Sequence, residues 1–370
     1  MRSRMGLPIL AGVTALAVAL AAWVIVDRQA SQTLAKPSDA LFPGLVDRVN
    51  DVAKVEVVTP TETFTVVRHD GGEWTMPSKG DYPVLFETVK QAVVGIASLR
   101  PLEARTAAPD RYGKLRVTAP TPDSNAGDGE GNLLRLLGAG DKPIAEVIVG
   151  KLKSVPTTAR EGWYYVRKPD EAQSWLASGR IEVFETGTAW LDPKTPTIPR
   201  KRMYRVSAIN QKGEEVLVER ELPSQSDFKL LTVPDGRKPK HNSVGNSLGS
   251  SLGFMSFEDA GKASEIDFSG GRKVVFQTFD GVIVTVDMAE RETGAWWAKF
   301  TASYDPEASI AETLPESERE TLLDPEAAAE EVQKLNDRFG GWAYRLPEYK
   351  AKDFGADLDI VTVPKTQNDS

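Results

Sequence analysis

From Val52 onward, apolar and polar residues take turns along the chain. "VAKVEVV" and "TFTVVRH" alternate, and "GGEWTMP" follows a glycine pair that suits a tight turn, so the pattern predicts short strands joined by turns. "DYPVLFETVKQAVVGIASL" then changes period: Leu85, Val89, Val93 and Ile96 fall on one helical face, with Asp81 placed for an N-cap. "LLRLLGAG", "AEVIVGK" and "GWYYVRK" return to strand patterning. "PDEAQSWLASG" reads as a short helix opened by proline and closed by glycine, and "APTPDSNAGDGEGN" as a polar surface loop.

The same order then recurs. "YRVSAIN", "EEVLVERE" and "DFKLLTVP" stand where the first strands stood. Helix-like "SVGNSLGSSLGFMSFEDA" aligns without a gap on "TVKQAVVGIASLRPLEA", so that Val89, Val93, Ala97 and Glu103 fall on Val244, Leu248, Leu252 and Glu258. "KVVFQTFDGVIVTVDMA" and "GAWWAKFTA" complete the second round. A repeat in element order is the mark of duplicated units, each packing a helix on one face of a mostly antiparallel sheet. Within "GAWWAKFTA", strand geometry sends Trp296 and Trp297 to opposite faces, so the pair is expected to be structural pegs rather than one platform.

Ahead of these units, "GLPILAGVTALAVALAAWVIV" is uncharged from Gly6 to Val26, with Arg2 and Arg4 before it and Trp23 near its end. About 20 apolar residues span a bilayer core, and flanking arginines favour a cytoplasmic N-terminus. The expectation is an uncleaved single-pass anchor in a bacterial inner membrane with the bulk of the chain periplasmic; a cleaved signal peptide is the alternative. The fold class expected is α+β: an N-terminal transmembrane helix followed by two tandem units of mostly antiparallel sheet with a packed helix. The expected divisions are 1–5 cytoplasmic, 6–26 anchor, 27–50 stalk, 51–200 first unit, 201–304 second unit, and 305–370 an acidic linker, C-terminal helix and tail. In that last part, Asp324 is placed as N-cap, Pro325 as the first helical residue and Gly340-Gly341 as the stop.

Composition narrows the function classes. The formal net charge of −8 over 370 residues disfavours nucleic acid as a partner, since that needs a basic face. With no cysteine there is no disulfide, thiol nucleophile or thiolate metal site. "GNSLG" fits the G-x-S-x-G of a nucleophile elbow with Ser247 as nucleophile. That motif needs a strand running into the turn and a histidine after it, whereas "RKPKHN" precedes it and His69 and His241 both come earlier. Ser226 and Lys229 have S-x-x-K spacing but fall where a strand is expected. Two histidines without carboxylates at fixed spacing do not make a metal site, and no phosphate or dinucleotide glycine loop is present. No catalytic, cofactor-binding or metal residue is expected.

"LFPGLVDRVNDVAKVEV", "TFTVVRHDGGEWTM", "GDYPVLFETVKQAVVGIASLRPLEARTA", "AEVIVGK…GWYYVRKPDEAQSWL" and "LNDRFGGWAYRLPEYKA" together resemble the domain of unknown function 4340 family across Leu41 to Lys350. The resemblance implies a membrane-anchored, non-enzymatic accessory or scaffold protein working beside ABC-type transport components of the gliding-motility kind. It supplies no catalytic residues. The alternative is a binding module for an envelope glycan or small ligand, seated between the units, with Trp74, Trp163, Tyr165 and Trp297 lining a cleft and Arg167 or Lys299 nearby.

Overall fold

The computed structural model describes residues 40–122, 129–154 and 161–365. The expected anchor at 6–26 lies outside them, as does most of the expected stalk. Among the described residues no helix is long and apolar enough to cross a membrane. The chain is α+β with antiparallel sheets, and it divides between Asp192 and Pro193 into two compact units.

In the first unit the alternating segments become β1 (Lys54–Val58), β2 (Thr63–Arg68) and β3 (Trp74–Met76), with Val55, Val57 and Val66 wholly buried. After β4 (Tyr82–Pro83) comes α1 (Phe86–Ala97), whose Val89, Ala92, Val93 and Ile96 are buried, and then β5 (Arg100–Ala104). The sheet is completed by β6 (Asn132–Leu137), β7 (Pro143–Ser154), β8 (Gly162–Arg167) and β9 (Ser174–Gly179). Its strand order is β4-β3-β2-β1-β6-β7-β8-β9-β5.

Two expectations are corrected here. Asp81 does not cap the helix: it sits at φ 66, Tyr82 and Pro83 pair with β3, and α1 begins after Leu85 with no side-chain cap. The turn and added strand lie between Asp81 and the helix, whose stripe of Val89, Val93 and Ile96 is as expected. Likewise "QSWLASG" is not helical, because Ser174–Gly179 pairs with β8 on one side and β5 on the other. Partners distant in sequence outweigh the local proline and glycine signals.

The second unit runs β10 (Met203–Ile209), β11 (Glu215–Glu219), β12 (Lys229–Leu230), β13 (Arg237–Pro239), α2 (Asn246–Ser250), β14 (Asp259–Lys262), β15 (Arg272–Thr278), β16 (Val282–Glu292) and β17 (Ala295–Tyr304). Residues 305–365 belong to this unit rather than to a separate appendage. They supply α3 (Pro325–Phe339), β18 (Trp342–Arg345), α4 (Glu348–Phe354), α5 (Leu358–Val361) and β19 (Thr362–Pro364). The sheet order is β12-β11-β10-β15-β16-β17-β18-β14, and β13 pairs apart with β19. Apart from β4, which has no counterpart, this is the order of the first sheet: β14 returns to the far edge beside β18 as β5 does beside β9. Asp324 caps α3 through Ala327 N at 2.9 Å, as its position in the sequence requires.

One cation ties the second unit together. Arg202, just before β10, has a side chain 4% exposed against an Asp280 carboxylate that is 0% exposed. Its Nε donates to Asp280 Oδ2 at 2.7 Å, and two further nitrogens donate to both Glu331 oxygens at 2.8 Å. Asp280 also accepts from Leu323 N at 2.9 Å, so strand, hairpin, loop and α3 meet at one point. Burial opposes the arginine's charge, but its hydrogen bonds to Glu331 and Asp280 and their negative charge outweigh it and raise its pKa. Arg202→Met, which strands a buried carboxylate, is expected to cost about 3–5 kcal/mol in urea unfolding. Glu331→Gln should cost less, because that carboxylate is 27% exposed.

Candidate functional site

Because "GNSLGSSLG" is rich in glycine and serine, both weak helix formers, α2 is only five residues long where α1 has twelve. The correspondence expected along the whole segment therefore holds for burial, with Leu248 and Leu252 in the core, but not for helix length. Gly249 allows the short helix to press on the sheet: a Cβ there would lie 2.5 Å from the Phe228 ring. A five-residue helix covers less sheet, and beside it opens a groove of about 620 Å³. That volume falls in the small-ligand range of roughly 300–1,000 Å³.

Val216, Val218 and Leu230 of the sheet and Leu248 of α2 form an apolar floor. Ala351 of α4 and Ile360 and Val361 of α5 form the opposite wall, which is held on the sheet by the edge contact of Phe354 with Phe276 at 5.7 Å. At one end Arg272 lies over Trp296, with its guanidinium carbon 4.3 Å from the ring centroid. Its Nε is buried with no hydrogen-bond partner among the described residues, where its one contact to an acceptor is a long one from Nη1, 3.4 Å, to Gly355 O. The arginine is packed so closely that a Cβ on Gly355 would strike it at 1.8 Å.

The rim is polar. Lys352 pairs with Glu348 at 2.6 Å, and Asp357 accepts from Asp359 N at 3.1 Å as the cap of α5. Asp353 lies 3.8 Å from Lys350, which is buried and donates to Ser251 O at 2.9 Å. Burial raises the pKa of Asp353, with Lys350 pulling the other way; burial lowers that of Lys350, with Asp353 opposing.

Ser247 and His241 border the same groove, but Ser247 sits inside α2 rather than on a strand-to-helix elbow. The His241 ring pairs with Ser243 Oγ at 3.1 Å. His69 meets Thr75 Oγ1 at 2.7 Å, and Lys229 opens β12. No group of His, Asp or Glu that could hold a metal is found among the described residues.

The residues singled out from sequence are placed as follows. Trp74 is buried on β3. Trp163, Tyr165 and Arg167 share one face of β8. Trp163 lies under Lys153 at 5.8 Å, and Tyr165 packs against the core around Tyr112 and Val117. Arg167 is buried over Tyr112 and donates to the carbonyls of Val117, Lys168, Pro169 and Glu171. Trp297 and Lys299 share a face of β17: the tryptophan packs on the cluster of Ile266, Ala289 and Ala343, and the lysine pairs with Asp287 at 3.5 Å. Trp296 takes the other face and lines the groove. Arg272 was missed, although its place was legible: it stands in step with Val274 and Phe276, both 0% exposed, so its strand position points to the core side.

Gly249→Ala is expected to lower stability by about 1–3 kcal/mol through overpacking on Phe228, while Ser247→Ala, exposed, stays within about 0.5 kcal/mol; chemical denaturation reads both. A pH series tests Asp353. With its folded pKa raised, it stabilises the chain fully below the ordinary carboxylate value and loses this as pH rises through the folded one. Unfolding at about pH 4 and about pH 7 should therefore show wild type gaining on Asp353→Asn at the lower pH. Compared with protein-family models, with curated proteins and with solved structures, the chain finds no match.

Proposed function

We propose that the chain is a membrane-tethered, extracytoplasmic binding protein of the accessory, non-enzymatic kind, which takes a small amphipathic ligand in the groove of its second unit. The observation that carries this reading is the groove itself: about 620 Å³ with an apolar floor, a polar rim and one arginine whose donors are not used up. Small-ligand sites have this composition, mostly apolar with a few fixed polar groups. The tether is supported by the uncharged run from Gly6 to Val26, long enough to span a bilayer. The matching strand order of the two sheets supports an origin by duplication, after which the shorter helix of the second copy left room for a ligand.

The ABC-type transport or envelope partners follow from the resemblance carried by the segments between Leu41 and Lys350, with no matching family model behind it. A partner surface is supported by apolar side chains left open around α1, where Phe86 is 60% and Val94 47% exposed. In-cell crosslinking through the body, followed by mild-detergent purification and mass spectrometry, tests the assignment. Transporter membrane subunits crosslinked at α1, together with a co-purifying amphiphile, are the expected result. Recovery of the chain alone, without either, would overturn it.

A further inference from the structure

We propose that the ligand of the groove is a singly charged amphiphile, an acyl or aryl carboxylate, with its head group received by Arg272 and its apolar body laid between Val244 and Ile360, over the floor of Val216, Val218 and Leu230. This rests on the groove reading above and adds the chemical class. The Trp296 ring covers one face of the guanidinium at 4.3 Å, which leaves the edge of the fork for acceptors. At that edge Nε is buried without a partner, and the long contact to Gly355 O meets little of the remaining donor capacity. An unmet donor of a charged group is costly, and a carboxylate is the acceptor whose geometry matches the fork. Arg272 forms no ion pair with any described carboxylate, so the protein does not supply that acceptor itself.

Charge count decides between one negative charge and more. Lys240, Arg272 and Lys352 line the groove against Glu348, Asp353 and Asp357, so three cations meet three carboxylates and the lining is neutral overall. A dianion such as a phosphate monoester meets the repulsion of that rim without a second free guanidinium to balance it. A single charge at the arginine end, followed by an apolar body, fits both the charge and the floor.

The test uses the full chain in lipid nanodiscs and two photoreactive probes, a diazirine-bearing dodecanoate and the matching dodecanol, with labelled peptides mapped by mass spectrometry. The carboxylate is expected to label the peptides around Val216–Leu230 and Glu348–Val361 and the alcohol to label them weakly. Arg272→Gln should cut carboxylate labelling about tenfold or more and leave the alcohol unchanged, with Arg272→Lys recovering part of it. Ile360→Glu, at a 66% exposed position on the wall, should reduce labelling by both probes without touching the core. Equal labelling by the two probes, insensitive to Arg272→Gln, would overturn the carboxylate assignment and leave the groove reading standing. No labelling of these peptides by either probe would overturn both.

Discussion

A buried charge holds the second unit in register. Arg202 is taken out of water only because Asp280 and Glu331 meet it with bidentate geometry, and Asp280 tolerates complete burial because Arg202, Leu323 N and the Thr278 hydroxyl all donate to it. Each partner belongs to a different stretch of chain: the entry to β10, the hairpin between β15 and β16, and α3. An apolar contact would allow these to slide; a fork on a carboxylate does not. Once α3 is fixed on β17, the segment after it is delivered as β18, and α4 follows onto the sheet. The wall of the groove is thus positioned from the far end of the same unit.

The groove exists because two copies of one topology cover their sheets differently. In the first, a twelve-residue helix buries Val89, Val93 and Ile96. In the second, glycines at 245 and 249 shorten the helix and bring it down on Phe228, and α4 and α5 help to bury Val216, Val218 and Leu230 while leaving the groove above them. Replacing a long helix by a short one and a C-terminal wall converts core into a lined concavity. The same exchange leaves Arg272, on the core side of β15, with an aromatic face to rest on and no carboxylate to meet among the described residues.

Several elements were legible because their causes are local. Alternation set β1, β2, β6, β10, β15, β16 and β17, and the Asp324–Pro325 start and Gly340 stop framed α3. The opposite facing of Trp296 and Trp297 follows from strand geometry alone, and the structure has one at the groove and one in the cluster of Ile266 and Ala343. Ser174–Gly179, whose proline and glycine signals suggest a helix, is a strand held by partners far away in the chain, so no local signal announces it.

By itself, then, the sequence determined the strand periods, the capped helix, the repeated order of elements and the apolar run from Gly6 to Val26, all properties of neighbours a few residues apart. Only the tertiary structure decided that Arg202, Asp280 and Glu331 meet, that Arg272 finds Trp296, and that Val216 and Ile360 face one space. These depend on sheet order and on where the C-terminal helices dock, and side chains dozens of residues apart carry no periodic trace of each other before the chain is folded.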